Sequence, residues 1–188
     1  MTTITISGLP GTGKTTVAKL LEQYLGLRYV YSGEIFRTLA TNHEMSLEEF
    51  GKYCESHREI DEELDRHQLD ILRKGTVIVE GRLSGWLAAQ NQIPALKVLL
   101  QADIDIRASR IVKREQGDIK KRKREILKRE KSEATRYKNY YGIDVSDTSI
   151  YDVIIDSGDK TIYKFRCIGG SATNNCNFHS DILSDKYL

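Results

Sequence analysis

Ile4-Thr5-Ile6-Ser7-Gly8-Leu9-Pro10-Gly11-Thr12-Gly13-Lys14-Thr15-Thr16 reads as a short apolar strand, a glycine-rich loop and the first turn of a helix. Gly8, four residues, then Gly13-Lys14-Thr15 matches the phosphate-binding loop pattern in full. Glycine lets the backbone curl close to phosphate oxygens, so that successive N–H groups turn inward. The helix that starts near Lys14 adds the positive end of its dipole. Lys14 is a mobile point charge suited to β and γ phosphates, and the Thr15 hydroxyl is suited to Mg²⁺. The strand before the loop and the amphipathic helix after it separate this pattern from an ordinary glycine turn. Gly8, Leu9, Pro10, Gly11, Thr12, Gly13, Lys14, Thr15 and Thr16 are therefore expected to hold ATP.

Helical spacing of Val17, Leu20, Leu21, Tyr24 and Leu25 gives one apolar stripe, and Gly26 is a natural stop. Leu27 to Tyr31 reads as a second strand, so the opening is a βαβ unit with a parallel sheet. Ser32-Gly33 then opens a helix. Ser32 reads equally as an N-cap or as a ligand residue at the carboxyl end of a strand, where Arg37 also lies. Ser46-Leu47-Glu48-Glu49 is a capping box, and a further helix runs from about Arg58 to Lys74. Residues 34–74 are strongly charged and hold no strand, as expected of a helical insertion. Thr76 to Val79 reads as a central parallel strand. Glu80-Gly81-Arg82 follows at its carboxyl end, where an acid holds the Mg²⁺ shell or pairs with Arg82.

The chain has 188 residues, enough for one α/β domain, with 39% hydrophobic and 30% charged residues. No apolar run nears the roughly 20 residues of a membrane helix. A strand within four residues of Met1 predicts no secretory signal, and three cysteines (Cys54, Cys167, Cys176) predict no disulfide framework. The expected location is the cytoplasm. Net charge is only +2, but fourteen Lys/Arg face five Asp/Glu between Arg107 and Lys138. That segment is marked for anions.

Leu96 to Leu100 reads as a fourth strand and Ile104 to Glu115 as a helix. Its Arg107, Arg110 and Arg114 fall on one face, which suits a phosphate clamp or a base-stacking plane. Lys120 to Lys138 reads as a basic helix pair with little apolar content. It fits a solvated surface, a nucleic-acid grip or a hinged lid over a triphosphate. Arg129, Glu133 and Arg136 share one face. Tyr151 to Asp156 reads as a fifth strand. Residues 157–188 read as an atypical tail: Thr161 to Arg166 alternates like a strand, a breaker-rich run follows, and no covering helix is evident.

Gly8 to Thr16, Ser32-Gly33-Glu34-Ile35-Phe36-Arg37, Met45 to Phe50, Val79-Glu80-Gly81-Arg82, and Arg136-Tyr137 through Tyr141-Gly142-Ile143-Asp144 to Ser149-Ile150-Tyr151-Asp152 together resemble the archaeal type of cytidylate kinase. The resemblance covers roughly residues 1–156. It implies a single P-loop NTPase domain over 1–188, a three-layer α/β/α fold with a five-stranded parallel sheet. A monophosphate-binding insertion at about 34–74 and an arginine-rich lid at about 116–141 would be built on that core. It implies transfer of the γ-phosphoryl group of ATP to CMP or dCMP with Mg²⁺, in pyrimidine nucleotide metabolism, by a monomer that needs no membrane or nucleic acid. Lys14, Arg82, Arg129 and Arg136 would be catalytic. Arg110 and Arg114 would join the loop in binding ATP, with Arg114 against adenine. Ser32, Arg37, Arg82 and Glu133 would bind the acceptor, and Thr15 and Glu80 the metal.

In the related adenylate kinases an aspartate stands where Glu80 does. Bacterial cytidylate kinases carry an aspartate after the Gly-Arg pair, where this chain has Leu83, so cytosine must be read from elsewhere. Other readings remain open at this point: another nucleoside monophosphate kinase such as adenylate kinase, or an RNA-linked P-loop ATPase using Lys120 to Arg124.

Overall fold

The computed structural model describes residues 2–158 and the short strand Phe165–Cys167. Five strands run parallel: β1 (Ile4–Gly8), β2 (Arg28–Tyr31), β3 (Val77–Glu80), β4 (Leu96–Gln101) and β5 (Val153–Asp156). β6 (Phe165–Cys167) pairs antiparallel with β5, so the order is β2-β3-β1-β4-β5-β6. The expected five-stranded parallel sheet is present, and the alternation in Thr161 to Arg166 ends in this added edge. Of the tail, residues 159–164 and 168–188 lie outside the described residues. β2 does not pair with β1: β3 lies between them, so the first crossover spans two strand positions.

Seven helices connect the strands among the described residues: α1 (Lys14–Leu25), α2 (Ser32–Asn42), α3 (Leu47–Cys54), α4 (Arg58–Lys74), α5 (Ser84–Gln90), α6 (Ile104–Glu115) and α7 (Ile119–Tyr141). Their ends follow local chemistry. α1 stops at Gly26 in the left-handed region. The Ser46–Glu49 capping box forms as expected, with Glu49 N–H donating to Ser46 Oγ at 3.2 Å and Ser46 N–H to Glu49 at 2.9 Å. Asp118 caps α7 by accepting from the Lys121 N–H at 2.8 Å.

Alternate residues of β3 feed two cores. Val77 and Val79 pack with Ile71 and Leu72 of α4, Leu83 at the N-cap of α5, and Leu87 of α5. Ile78 packs on the other face with Ile4, Ile6, Ala18 and Leu21. Burial on both faces is why β3 reads as an unbroken apolar run.

The basic segment differs from its expected form. It is one continuous 23-residue helix rather than a pair. It is anchored in the body by Ile126 and Tyr137, and by the buried polar residues Glu133 and Arg136. Lys120, Lys121 and Arg124 are exposed on its first turns, as a solvated face would be. The apolar content looked thin because half of the inward face is charged and finds its partners inside.

Candidate functional site

Three chain segments meet where β1 and β3 end: the loop after β1, the start of α2, and Glu80-Gly81-Arg82. They line one cleft together with α4 and α7. The order of the sheet explains the meeting, since β1 and β3 are neighbours and ligands of open α/β sheets sit at the carboxyl ends of such strands.

Gly11 adopts a φ of +81°, and a Cβ there would stand 2.6 Å from the Arg107 carbonyl oxygen. The loop therefore rests directly on α6. Arg107 is 4% exposed and works as a buttress: its guanidinium donates to Pro10 O at 3.2 Å and Ala102 O at 3.0 Å, and pairs with Glu130 of α7. This corrects the reading of Arg107, Arg110 and Arg114 as one clamp. Arg110 donates to Ser157 O at 2.5 Å and Gly11 O at 3.4 Å, beside the loop. Arg114 is exposed, pairs with Glu115, and borders both this cleft and an apolar hollow between α1 and α6.

Lys14 Nζ donates to Leu9 O at 3.0 Å. Burial, then the neighbouring Arg82 guanidinium, brings its pKa down to about 7. Thr15 Oγ1 donates to Glu80 Oε1 at 3.0 Å. Glu80 is 2% exposed and accepts a second hydrogen bond from the Tyr29 hydroxyl. Burial first, then Glu80, raises the Tyr29 pKa far above its ordinary value. A hydroxyl and a carboxylate this close fit Mg²⁺, which takes one or two protein oxygens and completes its shell from substrate phosphate and water. Among the described residues no cluster of three metal-ligating side chains forms a closed protein cage.

Ser32 is the first residue of α2 and not its N-cap, which is Tyr31 with no side-chain cap. Its hydroxyl donates to the Glu80 carbonyl at 2.7 Å, tying α2 to β3. Arg37 lies one and a half turns on, exposed at the cleft wall. Arg82 pairs with Glu133, which also accepts from Arg129 Nε at 3.0 Å. Burial, then Arg129, lowers the Arg82 pKa to about 9. Burial, then Arg37, lowers that of Arg129. This corner is thus crowded with positive charge and suited to an anion. Arg136 is committed to Asp61, and both Arg129 and Arg136 lie over the Phe36 ring, 5.9 and 5.6 Å from its centre.

Sequence reading missed Tyr29, Phe36, Asp61, Asp65, Gln68 and Ser157. For three of them a signal existed. Asp61, Asp65 and Gln68 share the stripe of Leu64, Ile71 and Leu72, so polar groups sit on the inward face of α4.

Residues 3–159 match the family model described as the cytidylate kinase-like family. A cytidylate kinase from Methanocaldococcus jannaschii is 46% identical over 173 residues, covering 92% of this chain and 97% of that protein. One from Pyrococcus horikoshii is 47% identical over 154 residues, covering 82% and 79%. Among solved structures, an uncharacterized protein from Eubacterium ventriosum aligns with a TM-score of 0.60 at 20% identity over 84% of this chain and 89% of that one. A shikimate kinase from Bacteroides thetaiotaomicron aligns with a TM-score of 0.51 at 14% identity, covering 83% and 86%. At such identities these two speak for the P-loop α/β/α fold alone. Matched along nearly its whole described length, the chain belongs to the cytidylate kinase-like family.

Proposed function

We propose that this chain transfers the γ-phosphoryl group of ATP to CMP or dCMP, giving the nucleoside diphosphate and ADP. One observation carries the reading: Lys14 and Thr15 of the phosphate loop share a cleft with Ser32, Arg37 and Arg82, so donor and acceptor phosphates can meet in one space. The names of the relatives support cytidine as the acceptor nucleoside.

Phosphoryl transfer needs positioning and charge neutralisation more than covalent chemistry. The backbone of Gly8 to Thr16 holds the ATP phosphates, and Lys14 draws charge from the β,γ bridge. Arg110 stands beside the loop, and Arg114 at the rim suits the adenine. Arg37 and Arg82 hold the acceptor phosphate, which is itself the nucleophile and needs no strong base. Arg129 extends the cationic wall beside Arg82, with Glu133 keeping the two in register, while Arg136, paired with Asp61, ties α7 to α4. Mg²⁺ would lie at Thr15 and Glu80, and when bound it neutralises charge on the β and γ oxygens. We place the acceptor-binding insertion at about 34–74 and a lid at about 116–141, whose closure excludes water and limits ATP hydrolysis.

An acceptor panel tests this. With ATP and Mg²⁺, CMP and dCMP should drive ADP formation, and UMP and AMP should do so weakly. Folded protein that forms no ADP in response to any nucleoside monophosphate overturns the reading. Lys14→Ala should lose on the order of 3 kcal/mol of transition-state stabilisation, as when one charge-stabilising donor is removed elsewhere.

A further inference from the structure

Asp61, Asp65 and Gln68 project from one face of α4 into the cleft, at spacings of four and three, and are 5%, 8% and 6% exposed. Asp61 is neutralised by Arg136. Asp65 has no ion-pair partner among the described residues; it accepts from Gln68 Nε2 at 3.0 Å. That bond fixes the carboxamide and leaves Gln68 Oε1 at its other end. Among the described residues this oxygen has no hydrogen-bond partner. It lies against Gly81, where a Cβ would come within 2.8 Å of it and 2.2 Å of Ser32 Oγ. A buried acceptor with no donor is costly, and it is kept where a ligand brings the donor.

An anion is not that ligand. With Asp61 neutralised by Arg136, the remaining Asp65 carboxyl and Gln68 carbonyl oxygen offer a phosphate no donor or positive charge, whereas Arg37, Arg82 and Arg129 attract it. The α4 wall therefore faces a neutral, donor-bearing part of the acceptor. Leu83, buried at 3% exposure, offers no hydrogen bond there. Resting on the function proposed above, we infer that Gln68 and Asp65 read the acceptor base and select cytosine over uracil by accepting hydrogen bonds from its exocyclic amino group. That amino group carries two N–H donors, which match the unpartnered Gln68 Oε1 and the Asp65 carboxyl, faced on its other side by the Tyr141 hydroxyl. Uracil has a carbonyl oxygen at the same place, so acceptor would meet acceptor. A site built around one hydrogen-bonding group rejects the analogue that lacks it, because its own buried groups are then left unpaired. Burial, then the nearby Asp61, pushes Asp65 up to about 7, which suits a carboxyl kept for a neutral partner rather than a cation.

The test measures kcat/KM for CMP, dCMP and UMP with ATP and Mg²⁺, in wild type, Asp65→Asn, Gln68→Met and Gln68→Glu, each checked for a cooperative melt. Asp65→Asn and Gln68→Met should cut the CMP:UMP ratio at least tenfold, chiefly through KM for CMP. Gln68→Glu keeps an acceptor at the same reach but gives up the donor to Asp65, and should retain more of the CMP preference than Gln68→Met. Equal losses on CMP and UMP with the ratio unchanged overturn the inference and leave the two residues a structural role. A change confined to the CMP:dCMP ratio overturns it too, since α4 would then face a ribose hydroxyl. Wild type inactive on every acceptor defeats the proposed function itself, a result distinct from both.

Discussion

The Arg136 guanidinium donates from one nitrogen to both carboxylate oxygens of Asp61, each at 2.5 Å, with Arg136 only 2% exposed. This pair joins α7 to α4 across the cleft. Removing one partner leaves an uncompensated buried charge, which costs about 3–5 kcal/mol. Asp61→Asn should lower Tm by roughly 10 °C in a chain of this size. A drop of a degree or two would mean that the pair is solvated and contributes little.

Lys14 titrates near 7 because burial and Arg82 disfavour its cation. The triphosphate of ATP favours the cation, so its pKa rises on binding. At pH 8 the free protein holds Lys14 largely neutral, and binding takes up a proton. ATP affinity should then fall as pH climbs above 7, by up to about tenfold per unit. Calorimetry in two buffers of different ionisation enthalpy reads the uptake, and Lys14→Met should abolish it.

Asp65 has a linkage of the same sign, on folding instead of binding. Its carboxyl titrates at about 7 in the folded protein, against 3.8 as its ordinary value. The folded state thus binds the proton more tightly, and stability is lost as pH rises from about 4 to about 7. The groups facing it are Asp61 on the same helix and Arg136 and Tyr141 from α7. With about 1.4 kcal/mol per unit, the full cost above pH 7 is on the order of 4 kcal/mol. Asp65→Asn should raise Tm clearly at pH 8 and hardly at pH 4. Equal effects at both pH values would show that the carboxyl is not strained by its charge.

Gly81 separates Ser32 from Gln68. A methyl there meets Ser32 Oγ at 2.2 Å and Gln68 Oε1 at 2.8 Å, both side-chain ends that must swing away. Gly81→Ala should cost about 1–3 kcal/mol of stability, as overpacking does, and should raise KM for the acceptor more than KM for ATP. Steady-state kinetics with each substrate varied in turn will distinguish the two.

Glu80 accepts from Thr15 and Tyr29 at the metal position proposed above. Glu80→Gln keeps the volume and removes the charge. Its kcat should fall on the order of 100-fold, in line with loss of one electrostatic contribution, and higher Mg²⁺ should be needed for half-maximal rate. An unchanged Mg²⁺ requirement would place the metal elsewhere.

The amino-acid order carried what is local or periodic. The loop from Gly8 to Thr16, the capping box at Ser46, the helix stop at Gly26 and the apolar run of β3 all depend on residues within a few positions of one another, so they were legible without coordinates. Family likeness added the acceptor side, including Ser32, Arg37 and Arg82. Contacts between distant segments were not legible. Arg107, Arg110 and Arg114 share a stripe by spacing, yet the packing of α6 against the loop turns the first into a buttress and leaves the last at the rim. Ser32 has the chemistry of an N-cap, but its hydroxyl donates to Glu80, 48 positions away. The wall of Asp61, Asp65 and Gln68 gains meaning only when α4 is laid across Gly81. Short-range rules settle which residues curl, cap or stop, because those energies act within one turn. Which charges meet, and which acceptor is left unmatched, depends on how separate elements dock, and no spacing along the chain encodes that.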